Sequence, residues 1–161
     1  MSKPVILVYD LDHTLVDRVA VQVGNTGQYT TINTYNESHA QDAIRQYDQG
    51  FGFFSNQLAC LITGWNNHLR PREQLLFKLR EKEKRSPFRR PMPVIIITED
   101  HREDLQRRAL DPEQGQVCAY LHADDFEAQL VVILEQLLKK DAAASLNREA
   151  WEAFRQGLEE D

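Results

Sequence analysis

The sequence contains few cysteines and no long apolar run. Its 161 residues include two cysteines, Cys60 and Cys118, and each lies in an apolar stretch. Two such residues are too few for a disulfide framework and indicate reduced thiols in a core. No apolar segment is long enough to span a bilayer, and the N-terminus lacks the pattern of a signal peptide. We therefore expect a cytoplasmic protein that does not associate with membranes.

An excess of positive charge is also missing. The chain has 19 lysines and arginines against 25 aspartates and glutamates, which gives a net charge of -6. A nucleic-acid-binding domain usually carries a basic surface, so we expect no nucleic-acid partner. The length, together with a hydrophobic fraction of 42%, suffices for one domain with a substantial core.

The most informative stretch runs from Val5 to Leu15 and reads V-I-L-V-Y-D-L-D-H-T-L. A continuous apolar run with β-branched residues predicts a strand that is buried on both faces. Asp10 and Asp12 come at the end of this run. In open parallel α/β sheets, ligands bind beyond the carboxyl ends of the strands, so both carboxylates are candidates for chemistry.

Strand and helix patterns alternate five times along the chain. The β-prone runs cover residues 4–9, 29–33, 58–63, 94–98 and 117–122, and the helical segments that follow them cover 13–23, 39–48, 71–84, 101–110 and 126–140. This alternation indicates βαβ units, and right-handed crossovers leave few ways to arrange them. We predict an α/β fold with a doubly wound, five-stranded parallel sheet of the flavodoxin-like (βα)5 type, in the strand order 2-1-3-4-5.

Local signals predict where three of the helices begin. Ser38, with Gln41 three residues later, has the pattern of a capping box for the second helix. Asp124 and Asp125 precede the fifth helix, where carboxylates complement a helix N-terminus. Asn147 has the side chain to cap a sixth helix. The fifth helix has an apolar stripe that we expect to face the core, formed by Leu130, Ile133, Leu134, Leu137 and Leu138.

The residues beyond Lys140 exceed a five-unit fold. An alanine-rich joint covers 141–145, and a helix follows with Trp151, Phe154 and Leu158 on one face. We therefore divide the chain into a domain over 1–140 and a segment over 141–161 that holds a linker and a C-terminal helix. The aromatic face either folds back on the domain or forms a surface for a second copy or another partner.

The segments at the strand ends resemble the receiver domain of two-component response regulators, and the resemblance covers residues 3–140. The matching segments are V-I-L-V-Y-D-L-D at the first strand, L-I-T-G-W-N-N at the third, L-L-F-K-L-R-E-K with M-P-V-I-I-I-T across the third helix and fourth strand, and A-Y-L-H-A-D-D-F-E at the fifth. The family implies a pocket with an acidic pair for Mg²⁺, a phospho-accepting aspartate, a hydroxyl residue and a lysine.

Part of this pocket is kept in the sequence. Asp10 matches the first member of the acidic pair, Leu11 replaces the second, and Asp12 comes next. Thr98 matches the hydroxyl residue, and Tyr120 matches an aromatic switch residue of the family. The resemblance therefore implies a switch pair of Thr98 and Tyr120, and a weak Mg²⁺ site at Asp10 and Asp12 as the one cofactor to consider.

The two other positions have lost their chemistry. Gly64 stands where the phospho-acceptor is expected, and Ala123 stands where the lysine is expected, with His122 beside it. Glycine has no nucleophile and alanine has no charge. The resemblance therefore implies a pseudo-receiver: a signalling domain, not an enzyme, that acts by protein contact without phosphorylation. Its expected partner is a histidine kinase or a downstream signalling protein, and a homodimer is an alternative.

Residues 10–17, which read D-L-D-H-T-L-V-D, also resemble the first motif of haloacid-dehalogenase-type phosphatases. This second resemblance implies Asp10 as the nucleophile and Asp12 as the general acid/base, with Thr98 and Asp124 completing a Mg²⁺-dependent site. That family also requires a cation, usually lysine, between the last two positions. The chain has no lysine there, so an arginine would have to substitute, and the candidates are Arg102, Arg107 and Arg108.

Overall fold

A computed structural model describes residues 3–48, 58–65, 74–85, 90–139 and 142–160. Five strands and six helices follow one another in these residues. They are β1 (Val5–Tyr9), α1 (His13–Asn25), β2 (Thr30–Thr34), α2 (Glu37–Asp48), β3 (Leu58–Thr63), α3 (Gln74–Lys84), β4 (Val94–Thr98), α4 (Glu103–Leu110), β5 (Ala119–His122), α5 (Glu127–Leu137) and α6 (Ala142–Glu160). Residues 71–73, predicted as the start of the third helix, lie outside the described residues.

The five strands form one parallel sheet in the order β2-β1-β3-β4-β5. The predicted fold class and strand order are confirmed. The burial of the strands follows their position in the sheet. All five residues of the interior strand β4 are buried, whereas the edge strand β2, with the sequence TTINT, is exposed or half-buried at four of its five positions.

An apolar layer covers each face of the sheet. Alternate residues of β1 point to opposite faces: Ile6 and Val8 join the layer that contains residues of α1 and α5, whereas Leu7 and Tyr9 join the layer that contains residues of α2, α3 and α4. The doubly wound arrangement therefore follows from strands that are apolar on both sides. Both cysteines are buried and free, as predicted. Cys60 belongs to the layer that contains residues of α1 and α5, and burial raises the pKa of the Cys118 thiol to about 11.

The sixth helix packs against α4, α5 and the edge strand β5. Trp151 and Phe154 pack against the same apolar layer as α4, so the aromatic face of α6 folds back on the domain. The helix begins at Ala142, inside the segment predicted as a joint. Asn147 was expected to cap this helix, and that prediction is wrong. It is buried in the helix interior, and its Nδ2 donates to the carbonyl oxygens of Leu110 at 2.9 Å and Val117 at 2.7 Å.

Two other predicted helix starts are also wrong. Helix α2 begins at Glu37, before the predicted Ser38 capping box, because the Asn36 side chain accepts a hydrogen bond from the amide of His39 at 2.8 Å. The N-cap of α5 is Phe126, with no side-chain capping bond, so Asp124 and Asp125 do not cap it. Leu138, expected in the core, lies one residue beyond α5 and is 51% exposed.

The described helices include none that combines the length and the apolar character needed to cross a membrane.

Candidate functional site

The carboxyl ends of β1 and β3 lie side by side in the sheet. Tyr9, the last residue of β1, is paired with Thr63, the last residue of β3. The amide of Gly64 donates to the carbonyl oxygen of Tyr9 at 3.0 Å. Asp10 follows β1 and Gly64 follows β3. Both residues therefore lie at the carboxyl end of the sheet, as the parallel topology requires.

The carboxyl ends of β4 and β5 continue this edge. Thr98 is paired with His122, and the amide of Ala123 donates to the carbonyl oxygen of Thr98 at 3.0 Å. Thr98 is fully buried and Ala123 is buried, whereas His122 is exposed. All residues predicted for the pocket therefore lie at the carboxyl end of the sheet. They are Asp10, Asp12, Gly64, Thr98 and Ala123.

The two aspartates have structural contacts at this edge. Asp10 is 3% exposed, and its Oδ1 accepts a hydrogen bond from the amide of Asp12 at 2.9 Å. Asp12 is exposed and is the N-cap of α1, since its Oδ1 accepts from the amide of Leu15 at 3.2 Å. Both carboxylates therefore stabilise the turn between β1 and α1.

The described residues do not form a metal-binding constellation. Among them, no group of three or more histidine, cysteine, aspartate or glutamate side chains is placed to hold a metal ion. Asp10 and Asp12 alone would supply a poor Mg²⁺ site, because this cation demands near-octahedral oxygen coordination. A small hollow lies beside Asp10 and Gly64, with a volume of about 10 Å³. That is near the lower limit for one water molecule.

Thr98 and Tyr120, the predicted switch pair, both bind the turn between β4 and α4. The Thr98 hydroxyl oxygen accepts a hydrogen bond from the amide of Asp100 at 3.1 Å. The Tyr120 hydroxyl donates to the carbonyl oxygen of the same residue. The two side chains therefore meet at one residue, Asp100, rather than lying apart as independent strand residues.

A histidine pair lies against this turn. The rings of His101 and His122 stack at an interplanar angle of 22°, and the edge of one aromatic ring meets the face of the other in the His101–Tyr120 contact, with centroids 5.7 Å apart. The Nε2 of His101 lies 3.0 Å from the carbonyl oxygen of Thr98. Burial lowers the pKa of His101 below its usual value of 6.5, and His122 lowers it further. Sequence reasoning missed this pair, although His122 ends one predicted strand and His101 lies three residues beyond the end of the adjacent one.

An arginine from α1 lies beside Ala123. The Nη1 of Arg18 donates to the carbonyl oxygen of Ala123 at 3.1 Å, and its Nη2 pairs with the Glu127 carboxylate. The guanidinium also lies 5.1 Å from the ring centroid of Phe126. The hydrogen bond from Arg18 lowers the pKa of Glu127. Sequence reasoning missed Arg18, since no local pattern connects it to residues more than 100 positions away in the chain.

The arginines considered for a phosphatase site have other contacts. Arg102 forms a bidentate pair with Asp100, at 3.0 Å and 2.9 Å. Arg107 pairs with Glu103 at 3.0 Å, and the Arg108 guanidinium lies over a ring of the apolar layer, that of Phe77. Asp124 is exposed in the turn after β5. The described contacts of these side chains supply no cation for a phosphoryl group beside Asp10.

Comparisons with known proteins agree with this fold. No protein-family model and no curated protein matches the chain. Among solved structures, the chain is similar to the signal receiver domain of an HD-domain-containing protein from Pseudomonas fluorescens, with a TM-score of 0.63 and 18% identity over 84% of this chain and 94% of that one. It is also similar to a DNA-binding response regulator of the LuxR family from Staphylococcus aureus, with a TM-score of 0.63 and 16% identity over 84% of this chain and 99% of that one.

A third neighbour is a response regulator receiver domain protein from Clostridium thermocellum, with a TM-score of 0.53 and 20% identity over 84% of this chain and 99% of that one. The chain has the receiver-domain fold. At these identities the likeness concerns the receiver fold itself, and the chemistry of its pocket has to be argued from the residues. Within the receiver fold, Asp10, Gly64 and Ala123 directly follow β1, β3 and β5, and Thr98 is the last residue of β4.

Proposed function

We propose that this chain is a pseudo-receiver, a domain of two-component-type signal transduction that acts by protein contact and without phosphorylation of an aspartate. The observation that carries the proposal is Gly64, which follows β3 directly and lies next to the end of β1. A receiver forms its phosphoaspartate when a carboxylate at this position attacks phosphorus. Glycine has no atom that can do so.

The missing cation supports the same proposal. Ala123 follows β5, where the receiver resemblance calls for a lysine. Arg18, a cation that lies beside Ala123, already pairs with Glu127 and binds the Ala123 carbonyl. An attached phosphoryl group would therefore lack both its covalent anchor and its positive partner. Thr98 and Tyr120 remain as the proposed switch pair, and Asp10 and Asp12 as a weak Mg²⁺ site.

The proposed output is contact with another protein, either a histidine kinase or a downstream signalling protein, in the cytoplasm. A homodimer is the alternative assembly. No nucleic-acid or membrane role is proposed, since the chain carries a net charge of -6. We propose no catalytic residue for this function.

The test is phosphorylation in vitro. The purified chain is incubated with acetyl phosphate and Mg²⁺, and its intact mass is measured. We expect no added phosphoryl group. The matched control is the double variant Gly64→Asp with Ala123→Lys, which restores an acceptor and a cation and is expected to gain one phosphoryl group. A stable phosphoryl group on an aspartate of the unmodified chain would overturn the proposal.

The alternative function is a haloacid-dehalogenase-type Mg²⁺-dependent phosphohydrolase. One observation favours it: Asp10 and Asp12 follow β1 with the D-x-D-x-T spacing, and Asp10 is buried at the sheet edge. In that role Asp10 would attack phosphorus and Asp12 would protonate the leaving group. The test is Mg²⁺-dependent hydrolysis of an aryl phosphate that disappears in Asp10→Asn. Protein with no such turnover excludes this alternative.

A further inference from the structure

The sixth helix is attached to the domain by few buried side chains. Among the described side chains of α6, Asn147 is the only buried one, and it is polar. Trp151 and Phe154 are half-buried. Surface helices usually bury an apolar stripe against the core, and burial of apolar area supplies most of their attachment. The attachment of α6 therefore depends to a large extent on the hydrogen bonds of one side chain.

The surface that receives α6 is formed by other elements of the chain. Asn147 donates to the carbonyl oxygens of Leu110, the last residue of α4, and of Val117, which precedes β5. The Arg107 guanidinium, also on α4, lies 5.7 Å from the ring centroid of Phe154. We call the surface formed by Arg107, Leu110 and Val117 the α6 groove. Because none of its residues belongs to α6, the groove can accept the same helix from another copy of the chain.

The joint between α5 and α6 contains no residue that breaks a helix. Helix α5 ends at Leu137, α6 begins at Ala142, and the residues between them read L-K-K-D. None of these is glycine or proline, and leucine and lysine are good helix formers. The backbone of Leu138 lies in the right-handed helical region, with φ -70° and ψ -16°. We therefore attribute the break between the helices to the docking of α6 and not to the local sequence.

Apolar residues recur at every seventh position through both helices. They are Leu130, Leu137, Ala144, Trp151 and Leu158. A seven-residue repeat places its members on one side of a continuous helix. The sequence of residues 127–160 is therefore compatible with one uninterrupted amphipathic helix about 50 Å long. Such a helix has no turn before α6, so α6 would leave the groove of its own domain and uncover its aromatic residues.

We propose that two copies of this chain exchange their sixth helices to form a homodimer. In this dimer α5 and α6 of each copy form one continuous helix, and each α6 lies in the α6 groove of the other copy. Every contact that α6 makes within one chain is then made between two chains, so the docked surface area is kept. The joint gains helical hydrogen bonds, whereas association loses the high local concentration of a tethered helix.

A second copy is the occupant that fits the α6 groove best. Its Asn147 supplies the donor for the Leu110 and Val117 carbonyl oxygens, and its Phe154 supplies the ring that Arg107 faces. A two-fold dimer fills both grooves at once and leaves no open end for further assembly. The exchange specifies the homodimer that the proposed function gives as an alternative. It does not depend on the absence of phosphorylation at the other end of the sheet.

The first test is the oligomeric state of the unmodified chain at increasing concentration. A short tether gives a docked helix an effective concentration on the order of millimolar. We therefore expect monomers at about 10 µM and mainly dimers at about 1 mM. Analytical ultracentrifugation measures both states. A chain that stays monomeric up to about 1 mM would overturn the proposal.

An isotope-filtered NOE experiment separates the exchanged dimer from any other dimer. Equal amounts of carbon-13-labelled and unlabelled chain are unfolded together in urea, refolded and concentrated. The ring protons of Phe154 in one copy should then show NOEs to the Arg107 side chain of the other copy, since these groups are in contact in the docked state. NOEs that occur only within one chain would show that α6 stays in its own domain, and the proposal would be wrong.

A proline at the start of α6 discriminates between the two forms. Proline is favoured at the first position of a helix but disrupts a helix interior. In the docked monomer, Ala142→Pro removes the bond from the Ala142 amide to the Lys139 carbonyl oxygen, which is long at 3.3 Å. In the exchanged dimer it interrupts both continuous helices, so dimerisation should weaken about a hundredfold or more.

The matched control is Ala142→Ser, which keeps the amide at the same position. It should dimerise within about threefold of the unmodified chain. Amide NMR spectra of both variants check that the sheet is folded. If Ala142→Pro does not fold, the NOE experiment on the unmodified chain decides. Equal dimerisation of folded Ala142→Pro and the unmodified chain would contradict the exchange.

Discussion

Thr98 and Tyr120 bind the two backbone groups of the same residue: Thr98 accepts from the amide of Asp100, and Tyr120 donates to its carbonyl oxygen. The two side chains come from adjacent strands, β4 and β5, and together they hold the first turn after β4. A change at either one therefore acts on the backbone that the other one binds. In the proposed pseudo-receiver this shared turn couples the two switch residues.

This relationship predicts energetic coupling between the two residues. Thr98→Val and Tyr120→Phe should each lower the free energy of unfolding by about 1 kcal/mol. The double variant should deviate from additivity by about 0.5 kcal/mol or more, because both bonds are to one residue. Urea unfolding of the four proteins measures the cycle. As a control, Thr34→Val combined with Tyr120→Phe should be additive, since Thr34 bonds to Val8 on another strand. Additivity in the Thr98 cycle would contradict the coupling.

The Arg80 and Glu83 side chains, which are 7% and 8% exposed and lie 2.7 Å apart, form a buried ion pair that predicts a large stability effect. Glu83→Gln removes one charge and leaves the Arg80 guanidinium buried without compensation, so the free energy of unfolding should fall by about 3 kcal/mol. Asp42→Asn removes a carboxylate from the exposed pair with Arg45, whose side chains are 61% and 54% exposed, and should cost less than about 0.5 kcal/mol. Urea midpoints of both variants check this. Similar losses of stability in the two variants would show that Glu83 does not compensate the buried charge of Arg80.

Asn147 predicts how strongly the sixth helix is attached. Asn147→Leu removes two hydrogen bonds to buried carbonyl oxygens and should cost roughly 2 kcal/mol. The loss should be concentrated in α6, so amide hydrogen exchange should accelerate there more than in β1 or β3. Arg148→Gln, a change at the exposed neighbouring position, is the control. It should change neither the free energy of unfolding nor the amide exchange rates of α6. Uniform acceleration over the whole sheet would contradict a local role for Asn147.

His101 predicts a pH dependence of stability. Its pKa in the folded chain is below the usual value of 6.5, because it is partly buried and lies against His122. The unfolded chain therefore binds this proton first as the pH falls. The stabilisation is complete above about pH 6.5 and is lost as the pH falls towards the lower folded pKa. Asp100 and Asp125 oppose the shift, since their charges favour protonated His101.

The measurement is the urea midpoint between about pH 5 and pH 8. His101→Gln should flatten the slope over this interval. His39→Gln, at an exposed position in α2, controls for the removal of a histidine as such. An unchanged slope in His101→Gln would show that the histidine stack does not contribute to the pH dependence.

The strand order could be predicted from the sequence because it depends on few physical rules. Five apolar runs alternate with helical segments, parallel strands need crossovers, and crossovers are right-handed. The same rules place the residues at the carboxyl ends of β1, β3, β4 and β5 on one side of the sheet, close to one another. Asp10, Gly64, Thr98 and Ala123 could therefore be grouped before any coordinates were known, although they are spread over more than 100 positions.

The helix starts could not be predicted as reliably, since several polar residues compete for each one. Asn36 caps α2 although Ser38 and Gln41 have a capping pattern. Asn147 has the side chain of a capping residue, but it is used inside a helix, where two distant carbonyls lack other donors among the described bonds. Such outcomes depend on which backbone groups the tertiary structure leaves to be satisfied.

What the sequence determined by itself is the receiver fold and the absence of a carboxylate at Gly64 and of a cation at Ala123, because strand patterns are local and a glycine or alanine has no functional group in any structure. What only the tertiary structure decided is a set of contacts: the stack of His101 on His122, the meeting of Thr98 and Tyr120 at Asp100, and the attachment of α6 through Asn147. These depend on strand register and side-chain direction, which no segment of the chain specifies alone.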